Sequence, residues 1–308
     1  MSAAAAQTPA IGSSAFSPRI WLSFAIVTMI WGSTWLVIKT QLGTVPASWS
    51  VTWRFLLAGT VMFLISYARG KSLRLTARGH GFAMLVAIMQ FTLNFNFVYR
   101  AEAYVASGLV ALSFALLVVP NAIMAAMFLG QRITLRFGIG SLIGIVGLAL
   151  MFGRDVLNPA AAGTATLIGL ALAIAGMLSA SVANVMQAAP AGRRQPLEAG
   201  LAWAMLYGTI ANAVVAWFVS GPPVFEFSWG YAAGVAYLGI VASALAFSLY
   251  YAMIRDVGPG KAAYTGVVVP LVAMGLSTVF EGYVWTPVAG FGAGLAILGL
   301  VVALRSRG

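Results

Sequence analysis

The chain contains no cysteine in 308 residues. Disulfides, thiolate metal sites and cysteine nucleophiles are excluded with it. Charge is nearly as scarce: 7% of residues are charged, and six are acidic against 17 basic. The six acids are scattered, which leaves no carboxylate cluster for a metal or for acid–base chemistry at a lipid surface. The single histidine, His80, adjoins a basic stretch and reads as a solvated residue, not a ligand. No glycine-rich phosphate loop followed by Lys-Ser or Lys-Thr occurs, so there is no motor of that class. The segment Gly258-Pro259-Gly260-Lys261 reads as a turn. No cofactor and no metal are expected.

What fills the chain is apolar sequence. Uncharged windows run over 20–38, 81–99, 103–131, 137–153, 156–192, 199–225, 227–254, 262–280 and 282–304, and a tenth, 46–68, is broken only by Arg54. About 20 apolar residues match the ~30 Å hydrocarbon thickness of a bilayer. In lipid the backbone must satisfy its own polar groups, so spans are helices or closed barrels. Barrel strands alternate apolar and polar residues, and these runs do not. Glycine, 34 of 308 residues, exceeds the usual ~7% and suits close helix packing in membranes. The expected fold is therefore all-α integral membrane, with ten transmembrane helices near 20–40, 46–68, 80–99, 103–130, 135–153, 164–188, 197–219, 229–253, 259–281 and 287–305. Residues 1–18, small and polar without a basic start, read as a disordered cytoplasmic tail and not a signal peptide.

Alternate connections differ in charge. One set holds Arg19, Arg69, Lys71, Arg74, Arg78, Arg132, Arg136, Arg193, Arg194, Arg255, Lys261, Arg305 and Arg307, which is 13 of the 17 basic residues; Lys39, Arg54, Arg100 and Arg154 lie toward the other side. Cytoplasmic loops take the Lys/Arg excess, so both termini are expected in the cytoplasm of a multi-pass inner-membrane protein. The +11 net charge does not point to nucleic acid, because the basic residues sit between spans and not on one soluble face.

A shift of 150 residues brings the halves into partial register. Gly108 meets Gly258, Pro120 meets Pro270, Gln131 meets Glu281, Gly140 meets Gly290 and Gly144 meets Gly294. An odd repeat of five spans inverts its second copy. Two inverted five-helix repeats, 19–153 and 154–308, are the expected organisation, with a solute site at their midplane interface. Pro120 and Pro270 fall mid-span, and each clashes with the carbonyl four residues back, at Leu116 and Gly266. They read either as fixed bends or as hinges.

Several segments carry a resemblance. Trp31-Gly32-Ser33-Thr34, Arg54-Phe55, Ala106-Ser107-Gly108 through Pro120, and Ser243 through Tyr251, Pro270 and Glu281 to the glycine-rich last span resemble the drug/metabolite transporter superfamily, in its ten-helix EamA-type branch. Gly130-Gln131 departs from the Gly-Glu pair that usually ends the fourth helix there. Length and aromatic content are most similar to bacterial aromatic amino acid exporters of the YddG type. That resemblance implies amino acid efflux across the inner membrane.

Candidate site residues follow from polarity within spans. Gln90, Asn94 and Phe97 share one helical face by spacing. Trp31 and Trp35 stand four apart beside Thr34. Ser181 and Asn184 with Met177, Ser243 with Phe247 and Tyr250, and Tyr264 add hydroxyls, amides and rings. Neutral amides and hydroxyls bind ammonium and carboxylate groups without a buried net charge, and aromatic rings supply an apolar wall that attracts cations. The same residues also serve as packing and helix–helix glue. Lys39, Arg54 and Glu281 lie near helix ends, as structural partners or as a gate. With no acid in mid-span, uniport driven by the substrate gradient is the simpler expectation. The expected partners are amino acids and membrane lipids. Efflux of amphipathic drugs or other metabolites, with protons coupled, is the alternative; a lipid-modifying enzyme or a receptor fits less well.

Overall fold

The computed structural model describes residues 18–105, 107–130, 133–157, 159–257, 262 and 265–304. The tail expected at 1–18 lies almost wholly outside them. Regular structure among the described residues is all helical. The helices are α1 (Pro18–Thr40), α2 (Ala47–Ala68), α3 (Ala77–Ala101), α4 (Ser107–Leu129), α5 (Leu135–Leu157), α6 (Pro159–Ala188), α7 (Leu197–Ser220), α8 (Trp229–Asp256), α9 (Thr265–Phe280) and α10 (Pro287–Leu304), with one further helical turn at Pro190–Arg193. Seven of them, α1–α4 and α6–α8, are long and apolar enough to cross a bilayer, whereas α5, α9 and α10 hold the shorter apolar stretches Leu135–Gly147, Val268–Phe280 and Pro287–Gly299. Large apolar side chains face outward along the bundle, among them Leu64, Leu142, Phe218, Leu271 and Leu298. Water would penalise a belt of that extent, and lipid does not. The protein is a multi-pass membrane protein.

Two helices are not regular α-helix. Residues Ala87–Asn94 of α3 and Tyr237–Leu245 of α8 are π-helical. They begin 150 residues apart, the same offset that aligns the glycines and prolines. A π segment pairs each N–H five residues back, and its junctions with α-helix leave carbonyls without a backbone partner. Side chains from other helices take them. Trp31 Nε1 of α1 donates to Ala242 O at 3.2 Å, and Asn212 Nδ2 of α7 donates to Phe91 O at 2.9 Å. Asn212 Oδ1 in turn accepts from Asn96 Nδ2 at 2.6 Å, and Ser48 Oγ donates to Asn96 Oδ1 at 2.7 Å.

The core forms where α1, α2, α3, α7 and α8 meet, around Phe55, Phe91, Tyr99 and Tyr251. Extensive pairings join α5 with α10, α2 with α7, α3 with α6 and α1 with α9. The α5–α10 crossing depends on glycine: a Cβ on Gly147 would lie 2.6 Å from Gly292 O, and one on Gly299 would lie 2.8 Å from Gly144 Cα. A second, smaller cluster of Trp49, Tyr231 and Val235, joined by Trp53 and Phe225, lies at the end of the bundle away from the basic loops. There Trp53 Nε1 donates to Val224 O at 2.8 Å and ties the α7–α8 connection to α2. At the basic end Gly130 ends α4 in the left-handed region, φ 68°, where only glycine sits without strain.

Pro120 and Pro270 differ. The fourth helix is interrupted at residues 116–117, and the carbonyl of Leu116 is taken by Val119 N–H at 2.9 Å in a tighter turn. Pro270 sits inside α9 without such a break.

Candidate functional site

A cavity of about 140 Å³ opens at mid-height among α1, α2, α3, α4, α6, α8 and α9. At ~10–15 Å³ for each water-sized occupant, that is room for a solute of roughly ten heavy atoms. Its walls are aromatic. Trp31 and Trp35 come from α1, Phe95 from α3, Phe114 from α4, and Phe247 and Tyr250 from α8. Trp31 packs on Tyr250 at 4.8 Å and on Phe247 at 5.3 Å between ring centres, and Trp35 packs on Phe114 at 5.2 Å. Polar groups interrupt this wall at Thr34, Arg54, Gln90, Asn94, Asn121, Asn184 and Thr265.

Four of the lining residues carry a buried polar atom with no hydrogen-bond partner among the described residues: Trp35 Nε1, Arg54 Nη1, Asn94 Oδ1 and Asn121 Oδ1. Two are donors and two are acceptors. The orientation of Asn94 is set by its Nδ2, which donates to Gln90 O at 3.4 Å. Buried polar atoms normally find partners, so four around one cavity set it apart from ordinary packing.

Of the residues expected from sequence, Gln90, Asn94, Trp35, Asn184 and Tyr250 line this cavity. Phe97 does not. The π segment inserts one residue into the helical register, so the face that starts at Gln90 and Asn94 continues through Phe95 and Val98, while Phe97 turns toward Gly176 of α6. Ser181 is fully buried between α6 and α4, with its Oγ 3.5 Å from Met124 Sδ, and is absent from the lining. Ser243 stands behind the wall and accepts from Arg54 Nε at 2.9 Å. Tyr264 lies outside the described residues. Pro270 lines the cavity directly; Pro120 does not, although Leu117 and Val118 at the break before it do. Phe114 and Asn121 also line the cavity and are not among the residues singled out by polarity within spans. The position of Asn121 next to a mid-span proline was the available signal.

Arg54 is 1% exposed, lies over Phe95 with its guanidinium carbon 4.3 Å from the ring centre, and forms no ion pair with a described residue. Among the described residues neither Lys39 nor Glu281 has an ion-pair partner either. Lys39 Nζ donates to the carbonyls of Glu102 and Val105, and Glu281 accepts from Ser107 and Ser277. Between the uncharged windows Glu102 would be a loop residue in water, yet it is 0% exposed and both carboxylate oxygens lack a hydrogen-bond partner. Burial raises its pKa well above the ordinary carboxylate value; Lys39 opposes the rise and Glu281 adds to it. The one ion pair among the described residues, Arg69 with Glu198 at 3.2 Å, joins α2 to α7 at the basic end and is largely exposed. His80 is not simply solvated: its Nδ1 is 2.8 Å from Tyr207 Oη and its ring packs edge-on against Trp203.

The central cavity of this all-helical membrane bundle, ringed by unsatisfied donors and acceptors, is the candidate solute site. Known proteins identify the kind of bundle that holds it. The EamA-like transporter family matches residues 19–153 and again 167–305. Protein PagO of Salmonella typhimurium is 25% identical over 267 residues, covering 86% of each chain. An uncharacterized transporter of Buchnera aphidicola is 23% identical over 82% of this chain and 83% of its own. One solved crystal structure superposes with a TM-score of 0.70 at 21% identity, covering 94% of this chain and 99% of the other, which establishes a shared fold. Matched twice along nearly its whole length, this chain belongs to the EamA-like transporter family.

Proposed function

We propose that the protein exports amino acids, aromatic and other mostly neutral ones, across the bacterial inner membrane by alternating access. The observation that carries this reading is the pairing of chemistry in one cavity. Two unpartnered donors, on Trp35 and Arg54, suit a carboxylate, and two unpartnered acceptors, on Asn94 and Asn121, suit an ammonium. The aromatic wall suits a ring or an apolar side chain. Alternating access takes the form of ten spans in two inverted five-helix repeats, 19–153 and 154–308. The double family match, the π segments offset by 150 residues and the reciprocal pairings of α1 with α9 and α4 with α6 support that organisation. The weight of basic residues on one set of connections supports cytoplasmic termini. Pro120 and Pro270 act as hinges of the two halves. Without a motor domain, the substrate gradient drives transport.

Purified protein in liposomes tests this directly. Labelled phenylalanine should equilibrate down its gradient, and folded protein without flux for any amino acid overturns the reading. Gln90→Leu and Asn94→Leu should lower flux at least ~10-fold by removing hydrogen bonds to a charged solute group, with melting little changed. Unchanged flux in both would assign the two amides to packing. Efflux of amphipathic drugs is the competing reading, and a competition panel in the same liposomes separates the two.

A further inference from the structure

We propose that Arg54 is a carboxylate anchor, so that the cavity takes aromatic monocarboxylates with or without an amino group and rejects the matching amines. The inference rests on the cavity being the transport site and goes further by ranking the charged groups of its solute. Arg54 is the only ionisable cation or acid among the residues that line the cavity, so the described wall carries one positive charge and no negative one. Its Nε is committed to Ser243, its face to Phe95, and its Nη1 has no partner. Neither buried acid outside the lining is in contact with it. Glu281 accepts from two serine hydroxyls, and Glu102, in the α3–α4 connection beside Lys39, has no hydrogen bond on its carboxylate and acts on Arg54 only from a distance beyond an ion pair.

A buried guanidinium with no carboxylate in contact is costly, and a solute carboxylate within the cavity relieves that cost. An ammonium meets the opposite situation. It finds only neutral amide oxygens and ring faces, with a fixed cation in the same space. A zwitterion brings both groups and leaves the local charge positive. A monocarboxylate brings only the anion and neutralises it. The carboxylate is therefore required and the ammonium is dispensable.

The test measures binding in detergent by calorimetry and flux in liposomes, with L-phenylalanine, 3-phenylpropionate, L-phenylalaninamide and phenethylamine. Phenylalanine and 3-phenylpropionate should bind and compete, with the amide and the amine weaker by about 10- to 100-fold, the loss of one charge-assisted contact. In Arg54→Gln that preference should collapse, whereas Arg54→Lys should keep it. Equal binding of phenethylamine and phenylalanine to the unmodified protein overturns the proposal, and so does an unchanged preference in Arg54→Gln. If Arg54→Gln does not fold, the ligand ranking with the unmodified protein and with Arg54→Lys decides. Arg54-dependent binding of 3-phenylpropionate without amino acid flux would uphold the anchor and sink the exporter reading. Phenylalanine flux together with tight amine binding would do the reverse.

Discussion

Replacing Asn212 with alanine should loosen the protein and impair transport, although Asn212 does not line the cavity. The side chain sits on α7, fully buried, and closes two contacts with α3: its Nδ2 donates to Phe91 O at 2.9 Å and its Oδ1 accepts from Asn96 Nδ2 at 2.6 Å. Asn96 keeps a second acceptor at Thr92 O, 2.9 Å away, so its amide is not orphaned by the change. Phe91 O lies inside the π segment and loses its side-chain donor. Interhelical polar contacts in membranes average only ~0.6 kcal/mol, because a partner is usually found in the unfolded chain too. A buried group left unsatisfied costs more, about 1–3 kcal/mol. The second value should apply here, because π geometry withholds the usual partner four residues on. The functional effect follows from register. If the segment relaxes toward α-helix, the residues after Asn94 rotate, and Phe95 and Val98 leave the wall they share with Gln90. Thermal unfolding in detergent should show the loss, and phenylalanine flux should fall with it. A double-mutant cycle with Asn96→Ala should give a coupling of about 0.5–3 kcal/mol between the two sites. Unchanged melting and unchanged flux in Asn212→Ala would refute the claim that α7 holds the π segment in place.

Gly147→Val should push α10 away from α5, since even a methyl group there meets the backbone around Ala296 and Gly292; a loss of about 1–3 kcal/mol, typical of overpacking, is expected by thermal unfolding, and a stable variant would mean the crossing is looser than described. Glu102→Gln should change the pH dependence of stability. The folded pKa of Glu102 is raised, so the folded protein holds more protons than the unfolded chain between the ordinary and the raised values, and its stability falls as pH rises through that window. The glutamine variant lacks that slope and should gain relative to the unmodified protein on the alkaline side; parallel melting curves from pH 5 to pH 9 would contradict this.

Much of this molecule is legible in its sequence. Helix positions agree within a few residues from α1 to α10, because span length answers to bilayer thickness and uncharged sequence is a local property. The offset of 150 residues is likewise visible in the glycines and prolines of the sequence. Side-chain destinations are another matter. Gln90 and Asn94 share a face under either helical geometry, but the next member of that face is Phe97 in an α-helix and Phe95 with Val98 in the helix observed. A π segment persists only where outside donors such as Asn212 and Trp31 take its carbonyls, and those donors lie on α7 and α1, far away in sequence. Burial of Arg54 and Glu102 also required the whole bundle. Each lies where a sequence reader expects an interface or a loop, and only the packing of α1, α3, α8 and α9 around them removes the water. Composition alone determined that the chain enters lipid as helices. Tertiary packing decided which polar atoms remain unpaired inside it, because satisfaction of a buried donor depends on every helix that surrounds it.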